Sequence, residues 1–532
     1  MFRPYTQDQM MLLPPSLKDL IEENHPVYLI DDLVEKLEMG VLERRYGNIG
    51  QPAYHPRLML KVILYGFTVG IFSARKLMRA CQENVAFQFL SGGEKPAFKT
   101  IIDFRKRHLE DMKEVFVQTV KLAQELGLKK LGNVALDGTK IQANTSRHKA
   151  MSHGRMEKEE QRLQDEIVGL LKKADDVDAQ EDRDLGKDND GYSLQDQLAH
   201  RQERLKKIEA AKAALEAREK KENPDKPIDS KKQISFADTE ARCFSNTSNG
   251  TAYVYNAQAA IDMETQIIVE NHIEDTTSDA EAARTALTNM KQDLGQTPGC
   301  LVADSAYGNV TTMDACREHK VMPVCATRQE SGKLTEAREQ GKTPASFIYD
   351  EKANTFECLH GQVFKFSHWT DNGNQALYYS TVSSRCTCQL TRLKKNGLQK
   401  LRIRKSHLIQ RELQRIMRIP ANEALYGKRK VTIEPVFGQI KSGMGFRRCF
   451  YRGREKVRSE WNVVCAAFNL KKIAALINRD VLKPIKKSSL SLLEKESAAD
   501  SSVSPRIALG VRLFFNGVLQ TNTLVAPFTQ GG

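Results

Sequence analysis

Apolar and polar residues follow three different rhythms along the 532-residue chain, and each rhythm predicts a different kind of structure. Over 1–130 the apolar positions recur at helical spacing, broken at Gly66, Gly70, Gly92 and Gly93, which predicts a set of short helices. Ser73 stands where it can cap a helix through Leu77 and Cys81. Thr100 stands where it can cap another carrying Ile101, Ile102 and Phe104 and ending in Arg105, Lys106 and Arg107. Short helices with a basic last member suit a module that lays one helix in a DNA major groove, and suit equally a helical cap with a solvated basic face.

From residue 133 the rhythm shortens. NVALDGTKI, then GTAYVYNAQAAID at 250–262 and QIIVENHIED at 266–275, read as strands, the last two forming an antiparallel hairpin about Met263–Thr265. The helix DAEAARTALTNMKQDL, the strand CLVADSAYGN, the helix VTTMDACREHK and the strand VMPVCAT follow. This order predicts an α/β fold with a mixed, ribonuclease-H-like sheet. A doubly wound nucleotide-binding fold is disfavoured, because consecutive strands pair early and no G-x-G-x-x-G follows a strand.

The third rhythm fills an insertion at 150–232, dense in Glu, Lys, Gln and Ala. Leu194, Leu198, Leu205, Ile208 and Leu215 step by fours and threes, with Arg201 and Lys212 in the two remaining places. Met156, Leu163, Ile167 and Leu170 form a similar stripe, and the acidic stretch ADDVDAQEDRDLGKDNDG between the two predicts a helical hairpin ending at Asn223–Pro227. Its seam can pair within the chain or between subunits. A second insertion, 328–422, holds Cys358, His360, Cys386 and Cys388 and the positive run KKNGLQKLRIRKSH. Cys386-Thr387-Cys388 is one residue too tight for the usual C-x₂-C knuckle, so zinc is not expected. The Ser- and Lys-rich tail at 479–532 reads as disordered, leaving 131–478 as the sheet-bearing domain.

Composition narrows the partners. Lys and Arg number 81 against 67 Asp and Glu, an excess of 14 that favours a polyanion such as nucleic acid. The longest apolar run, VILYGFTVGIF at 62–72, falls short of the roughly 18 residues of a membrane span. The start lacks the pattern of a secretory signal, so a cytoplasmic, nucleoid-associated location is expected. Cys81, Cys300, Cys316, Cys325 and Cys465 lie singly in apolar segments and read as reduced, buried thiols.

Three acidic positions carry the candidate chemistry. Asp137 and Asp304 each end an apolar strand, and Glu434 opens a helical segment whose Pro435 is tolerated only if the helix has just begun. Carboxylates gathered at a sheet edge supply hard oxygen ligands for two Mg²⁺ or Mn²⁺ ions, the arrangement that serves phosphodiester cleavage. Lys140, Arg429, Lys430, Lys441, Arg447 and Arg448 surround these positions in sequence and, with Arg105, Lys106 and Arg107, are the candidate DNA contacts.

At this point the chain resembles the DDE transposases of bacterial insertion sequences, in the group with a large N-terminal helical domain. The motifs are YHPRLMLKVILYGFTVGIFSARKLMRACQENVAFQFL, TIIDFRKRH, DGTKIQANTSRHK, ADSAYGN and EPVFGQIK, in that order over roughly 40–475. The resemblance implies Asp137, Asp304 and Glu434 as the catalytic acids, Mg²⁺ as cofactor, and double-stranded DNA as partner, both the terminal inverted repeats and the target. It also implies a homo-oligomer in the synaptic complex. Lys441 fits the pattern after the last acid, whereas Lys430 stands where Arg is expected and Tyr426 falls one residue early. Rival readings are a DNA-binding repressor with a vestigial core, and a nuclease that cuts without joining.

Overall fold

The computed structural model describes residues 16–478, apart from 48–51, 129–130, 147–149, 182–190, 225, 247–249, 328–342, 351, 382–387, 389 and 394–397. The tail at 479–532 and the part of the acidic hairpin turn at 182–190 therefore lie outside the described residues. No described helix is long and apolar enough to cross a membrane.

Seven helices come first: α1 Pro26–Glu35, α2 Gly40–Glu43, α3 Pro56–Thr68, α4 Ala74–Glu83, α5 Val85–Leu90, α6 Phe98–Arg107 and α7 Asp111–Glu125. α1 and α3 each start with proline, whose missing N–H costs nothing there, behind a histidine whose Nδ1 accepts a first-turn N–H. Ser73 occupies the N-cap position of α4, although its side chain makes no capping hydrogen bond. Thr100 is not a cap: α6 begins at Phe98, which places Thr100 in its first turn.

The sheet is built from β1 Asn133–Gln142, β4 Arg242–Asn246, β5 Gly250–Asp262, β6 Ile268–Glu274, β7 Cys300–Ala303 and β8 Met322–Cys325, with α10 Ala282–Leu294 and α11 Val310–Glu318 as connections. β5 lies antiparallel to β1 on one edge and to β4 and β6 on the other, while β1, β7 and β8 run parallel. This is the expected ribonuclease-H-like mixed sheet. Its strands Val134–Leu136 and Leu301–Ala303 are fully buried, as unbroken apolar runs require in the parallel half of a sheet.

The first insertion closes with a two-stranded ribbon, β2 Ala150–Ser152 on β3 Gln233–Ser235, and extends as α8 His153–Glu181 and α9 Gly191–Glu222. Met156 and Leu163 are buried against Ile208, Ala211 and Leu215, so the seam pairs within the chain. Its two polar places face carboxylates of the opposite helix, Lys212 with Glu160 at 2.8 Å and Arg201 with Glu166 at 3.3 Å.

The second insertion contains a sheet that the sequence pattern did not foretell. β9 Ile348–Asp350, β10 Thr355–Glu357, β11 Val363–Thr370, β12 Gln375–Ser380, β13 Thr391–Leu393 and β14 Gln399–Arg404 are antiparallel in the order β13-β14-β12-β11-β10-β9. Phe347, Phe356, Phe364, Tyr378, Leu401 and Ile403 give it a core of its own.

After it come α12 Lys405–Met417, α13 Pro420–Gly427, α14 Arg429–Gly438, a π-helical turn at Gln439–Gly443 and α15 Arg454–Asn478. α14 starts five residues before Glu434, so Pro435 sits inside the helix and not at its opening. The Val431 carbonyl, which a proline at 435 leaves without its helical donor, accepts instead from Gln266 Nε2 at 3.2 Å.

α15 joins the two halves of the molecule, packing on α3, α7 and β6, and the N-terminal helices and the sheet share one core. Asn469 is the polar hinge-pin of that packing. Its Oδ1 accepts the Ile268 N–H at 2.9 Å, and its Nδ2 donates to the Ile268 carbonyl at 2.8 Å and to Thr119 Oγ1 at 3.3 Å. Asn469→Leu leaves both peptide groups of Ile268 unpaired at the outer edge of β6, and urea unfolding should register a loss of about 2–4 kcal/mol.

His272 on the same strand lies between Glu270 at 3.0 Å and Glu274 at 3.1 Å. Burial alone would lower its pKa, but Glu270 and then Glu274 outweigh burial and raise it to about 9. A base held up in this way stabilises the fold fully below the unfolded value near 6.5 and loses its contribution as pH rises through 9. Stability should therefore decline from pH 6.5 to above 9, and His272→Gln should flatten that slope in chemical denaturation at several pH values.

Candidate functional site

The pairing register decides which acids meet. β1 and β7 run parallel with Leu136 opposite Ala303, so Asp137 in β1 and Asp304, the residue after β7, come next in register. Asp137 Oδ1 accepts the Gly138 N–H at 2.8 Å and its Oδ2 pairs with Arg429 Nη1 at 3.2 Å. Burial is the main cause that raises the Asp137 pKa; the Gly138 N–H and Arg429 oppose it, and Asp304 and Asp279 add to it. Asp304 Oδ1 accepts the Ala306 N–H at 2.8 Å, and the cap of α11 is Asn309, so Asp304 is not spent on capping that helix.

Glu434 does not close a tight cluster with them. It is on the exposed side of α14, the helix that brings Arg429 to Asp137, and the three carboxylates do not form a group with ligand atoms all within 4.8 Å of one another. Lys441 Nζ, two turns beyond, donates to the Lys140 carbonyl at 3.3 Å and seats the π-helical turn on β1. The chain then runs back along β1, with the Gln142 N–H on the Arg447 carbonyl at 3.2 Å and the Cys449 N–H on the Gln142 carbonyl at 2.8 Å.

A polar network behind Asp137 was not read from the sequence. Asp279 Oδ1 accepts from Gln258 Nε2 at 2.7 Å, Asn256 Nδ2 at 2.8 Å and Lys140 Nζ at 3.3 Å, and Tyr307 Oη donates to Gln258 Oε1 at 2.6 Å. Asn256, Gln258 and Tyr307 are buried, and the network ties the DGTK motif to the ADSAY motif. Gly138 is required here, because a Cβ would stand 2.3 Å from Gln258 Nε2. The segment EDTTSD gives no signal for this role, since an aspartate before a helix reads as an ordinary first-turn acid.

The basic residues divide into two sets. Lys106, Arg107, Lys430, Arg447 and Arg448 are exposed, Arg107 stacking over Tyr46 at 4.8 Å. Lys140, Arg429 and Lys441 are partly buried around Asp137. Arg429 also lies 5.8 Å over the Tyr426 ring, so this pair, and not Lys430, adjoins the site. Arg105 leaves the surface set altogether: it is buried, donating Nη1 to the Phe72 carbonyl at 2.9 Å with its guanidinium over Phe67. The reason is its place on the Ile101–Phe104 stripe of α6, which faces the core.

The metal expectation needs correction. Mg²⁺ or Mn²⁺ as two ions, with zinc set aside, is overturned by the cluster that the described residues do form: Cys358, His360 and Cys388, all ligand atoms within 4.8 Å. Thiolates and imidazole are a zinc-type donor set. Cys388 Sγ lies 3.5 Å from His360 Nδ1, and Cys358 Sγ accepts the N–H groups of His360 and Gln362, each at 3.4 Å. The C-x₂-C rule missed it because the first ligands are the Cys358-x-His360 pair. Cys386 lies outside the described residues.

Comparison with known proteins fits this arrangement. Residues 15–107 match the Transposase domain (DUF772) and residues 357–474 match the Transposase DDE domain, the latter taking in Glu434 and the cysteine-histidine cluster. The chain has a DDE-transposase-like domain architecture. No curated protein matches it. Among solved structures it is similar to the cryo-EM structure of a piggyBac transposase synaptic complex with hairpin DNA, at 10% identity over 95% of this chain and 87% of that one. The TM-score is 0.29, too low to carry an argument.

Purified protein should carry about one zinc ion per chain by elemental analysis, and Cys358→Ser should lose the metal and lower the unfolding temperature by several degrees. Metal-free protein of unchanged stability would dismiss the site.

Proposed function

We propose that this chain is the DNA transposase of a bacterial insertion sequence, binding double-stranded DNA at the terminal inverted repeats, cleaving it and joining the exposed ends to target DNA. The observation that carries this reading is the register that sets Asp137 beside Asp304, with Arg429 bringing the Glu434 helix against them. Paired carboxylates behind a cationic rim are suited to phosphodiester chemistry.

The residues divide the work. Asp137 and Asp304 would face the scissile phosphodiester as the paired acids of the site, and Glu434 would join them when α14 closes on DNA. Arg429, paired with Asp137 in the unbound chain, would pass to a phosphate oxygen when DNA enters. Asp279 keeps the Lys140 ammonium aligned beside the strand, and Lys441, whose pKa is lowered by burial and then by Arg447 and Lys140, needs a phosphate to complete its surroundings. Lys106, Arg107, Lys430, Arg447 and Arg448 would follow the DNA backbone. Bringing two ends together calls for a homo-oligomer.

The repressor reading draws on one observation, an exposed Glu434 that does not close a tight cluster with the aspartates. Duplexes bearing the inverted repeats that bracket the gene separate the readings. Asp137→Asn, Asp304→Asn and Glu434→Gln should keep end binding within about threefold and lose strand cleavage by roughly 10³-fold or more. A pre-cleaved end should be joined to target by the unaltered protein. Binding without any cleavage would favour the repressor, and cleavage without joining the nuclease.

A further inference from the structure

The positive run of the second insertion becomes a surface once the sheet forms. Along β14 the side chains alternate, Leu401 and Ile403 entering the insertion core while Lys400, Arg402 and Arg404 take the opposite face. The pairing register carries that face across neighbouring strands. Arg392 of β13 stands opposite Lys400, Lys400 opposite Tyr379, and Tyr379 opposite Lys365 of β11, so one row crosses four strands. The next row sets Arg402 opposite Leu377 and Leu377 opposite His368.

Charge on this face is one-sided. β11 to β14 contain no carboxylate, and the strand acids Asp350 and Glu357 lie on β9 and β10 at the far edge. Among the described residues, none of Lys365, Arg392, Lys400, Arg402 and Arg404 makes an ion pair, although the next cation along, Lys405, is paired with Asp314 at 2.7 Å. A solvated structural face ordinarily mixes both signs. Lys400, Arg402 and Arg404 recur roughly every 7 Å along the strand, about two phosphates of axial rise on one DNA strand.

Resting on the proposed action on DNA, we propose that this sheet face is a second DNA-binding surface, separate from the Asp137 site, that grips the phosphates of duplex DNA without reading its sequence. Cations spaced along strands that carry no acid suit a polyanion with a regular charge repeat, contacted at its phosphates.

The test uses the full-length protein and a duplex of about 40 base pairs lacking the element ends, with fluorescence anisotropy from 50 to 200 mM KCl. The triple substitution Lys365→Gln, Lys400→Gln and Arg402→Gln should weaken binding about tenfold or more and make the slope of log K against log salt shallower by roughly 2 to 3, near 0.9 per lost contact. The single charge reversal Arg402→Glu should weaken binding in the same direction, and Glu357→Gln should not. Unchanged melting temperature and zinc content in the triple variant exclude unfolding as the cause. If the unaltered protein binds duplex DNA and the triple variant matches it in affinity and salt slope, the surface proposal is overturned while the parent reading stands. If the unaltered protein binds no DNA at all, both fall.

Discussion

Everything in this molecule depends on the parallel pairing of β1 with β7, because that register sets two carboxylates side by side where neither would choose to be. Neighbouring strands lie about 4.8 Å apart, and two like charges near that distance repel by roughly 3 kcal/mol at an effective dielectric constant of about 20. Asp137 feels both burial and Asp304, and its pKa rises accordingly. The compensation is local: a backbone N–H from Gly138 and the guanidinium of Arg429. The second of these fixes a whole helix. α14 docks where its arginine can answer Asp137, and the same helix carries Glu434 and leads into the Lys441 turn that rests on β1.

The remaining architecture serves to hold that juncture still. α15 covers β6 and takes up α3 and α7, so the N-terminal helices and the sheet share a core and cannot shift independently without exposing it. The helical hairpin and the insertion sheet bury their side chains apart from this core. The hairpin buries its own seam and the second insertion buries its own aromatic centre, so each is a module that the sheet accepts at a loop. A module with its own core and its own candidate zinc centre can present a surface at a fixed place without altering the register beneath it.

What could be read from the residues followed from uninterrupted physical signals. Val134–Leu136 and Leu301–Ala303 are apolar runs of strand length, and an aspartate at the end of each has few places to go. The helical hairpin was equally plain, since its seam repeats over several turns. The insertion sheet was obscure because its strands are as short as three residues and alternate polar with apolar, leaving no run that outweighs the surrounding charge. Asp279 was hidden by its context, a polar loop before a helix where an acid is commonplace. Pro435 misled because the rule against proline inside a helix assumes that the freed carbonyl goes unanswered, and Gln266, 165 residues away in sequence, answers it. The cysteine-histidine cluster was discounted on spacing, although ligands are gathered by folding and not by adjacency.

Asp137 and Asp304 stand side by side because β1 and β7 pair in parallel. Disulfide trapping tests this most directly: Asp137→Cys and Asp304→Cys are introduced together, the folded protein is oxidised, and the bridge is mapped by mass spectrometry. A bridge joining positions 137 and 304, absent from either single variant, is the predicted result. Failure of the two positions to bridge in a protein that stays folded would contradict the pairing.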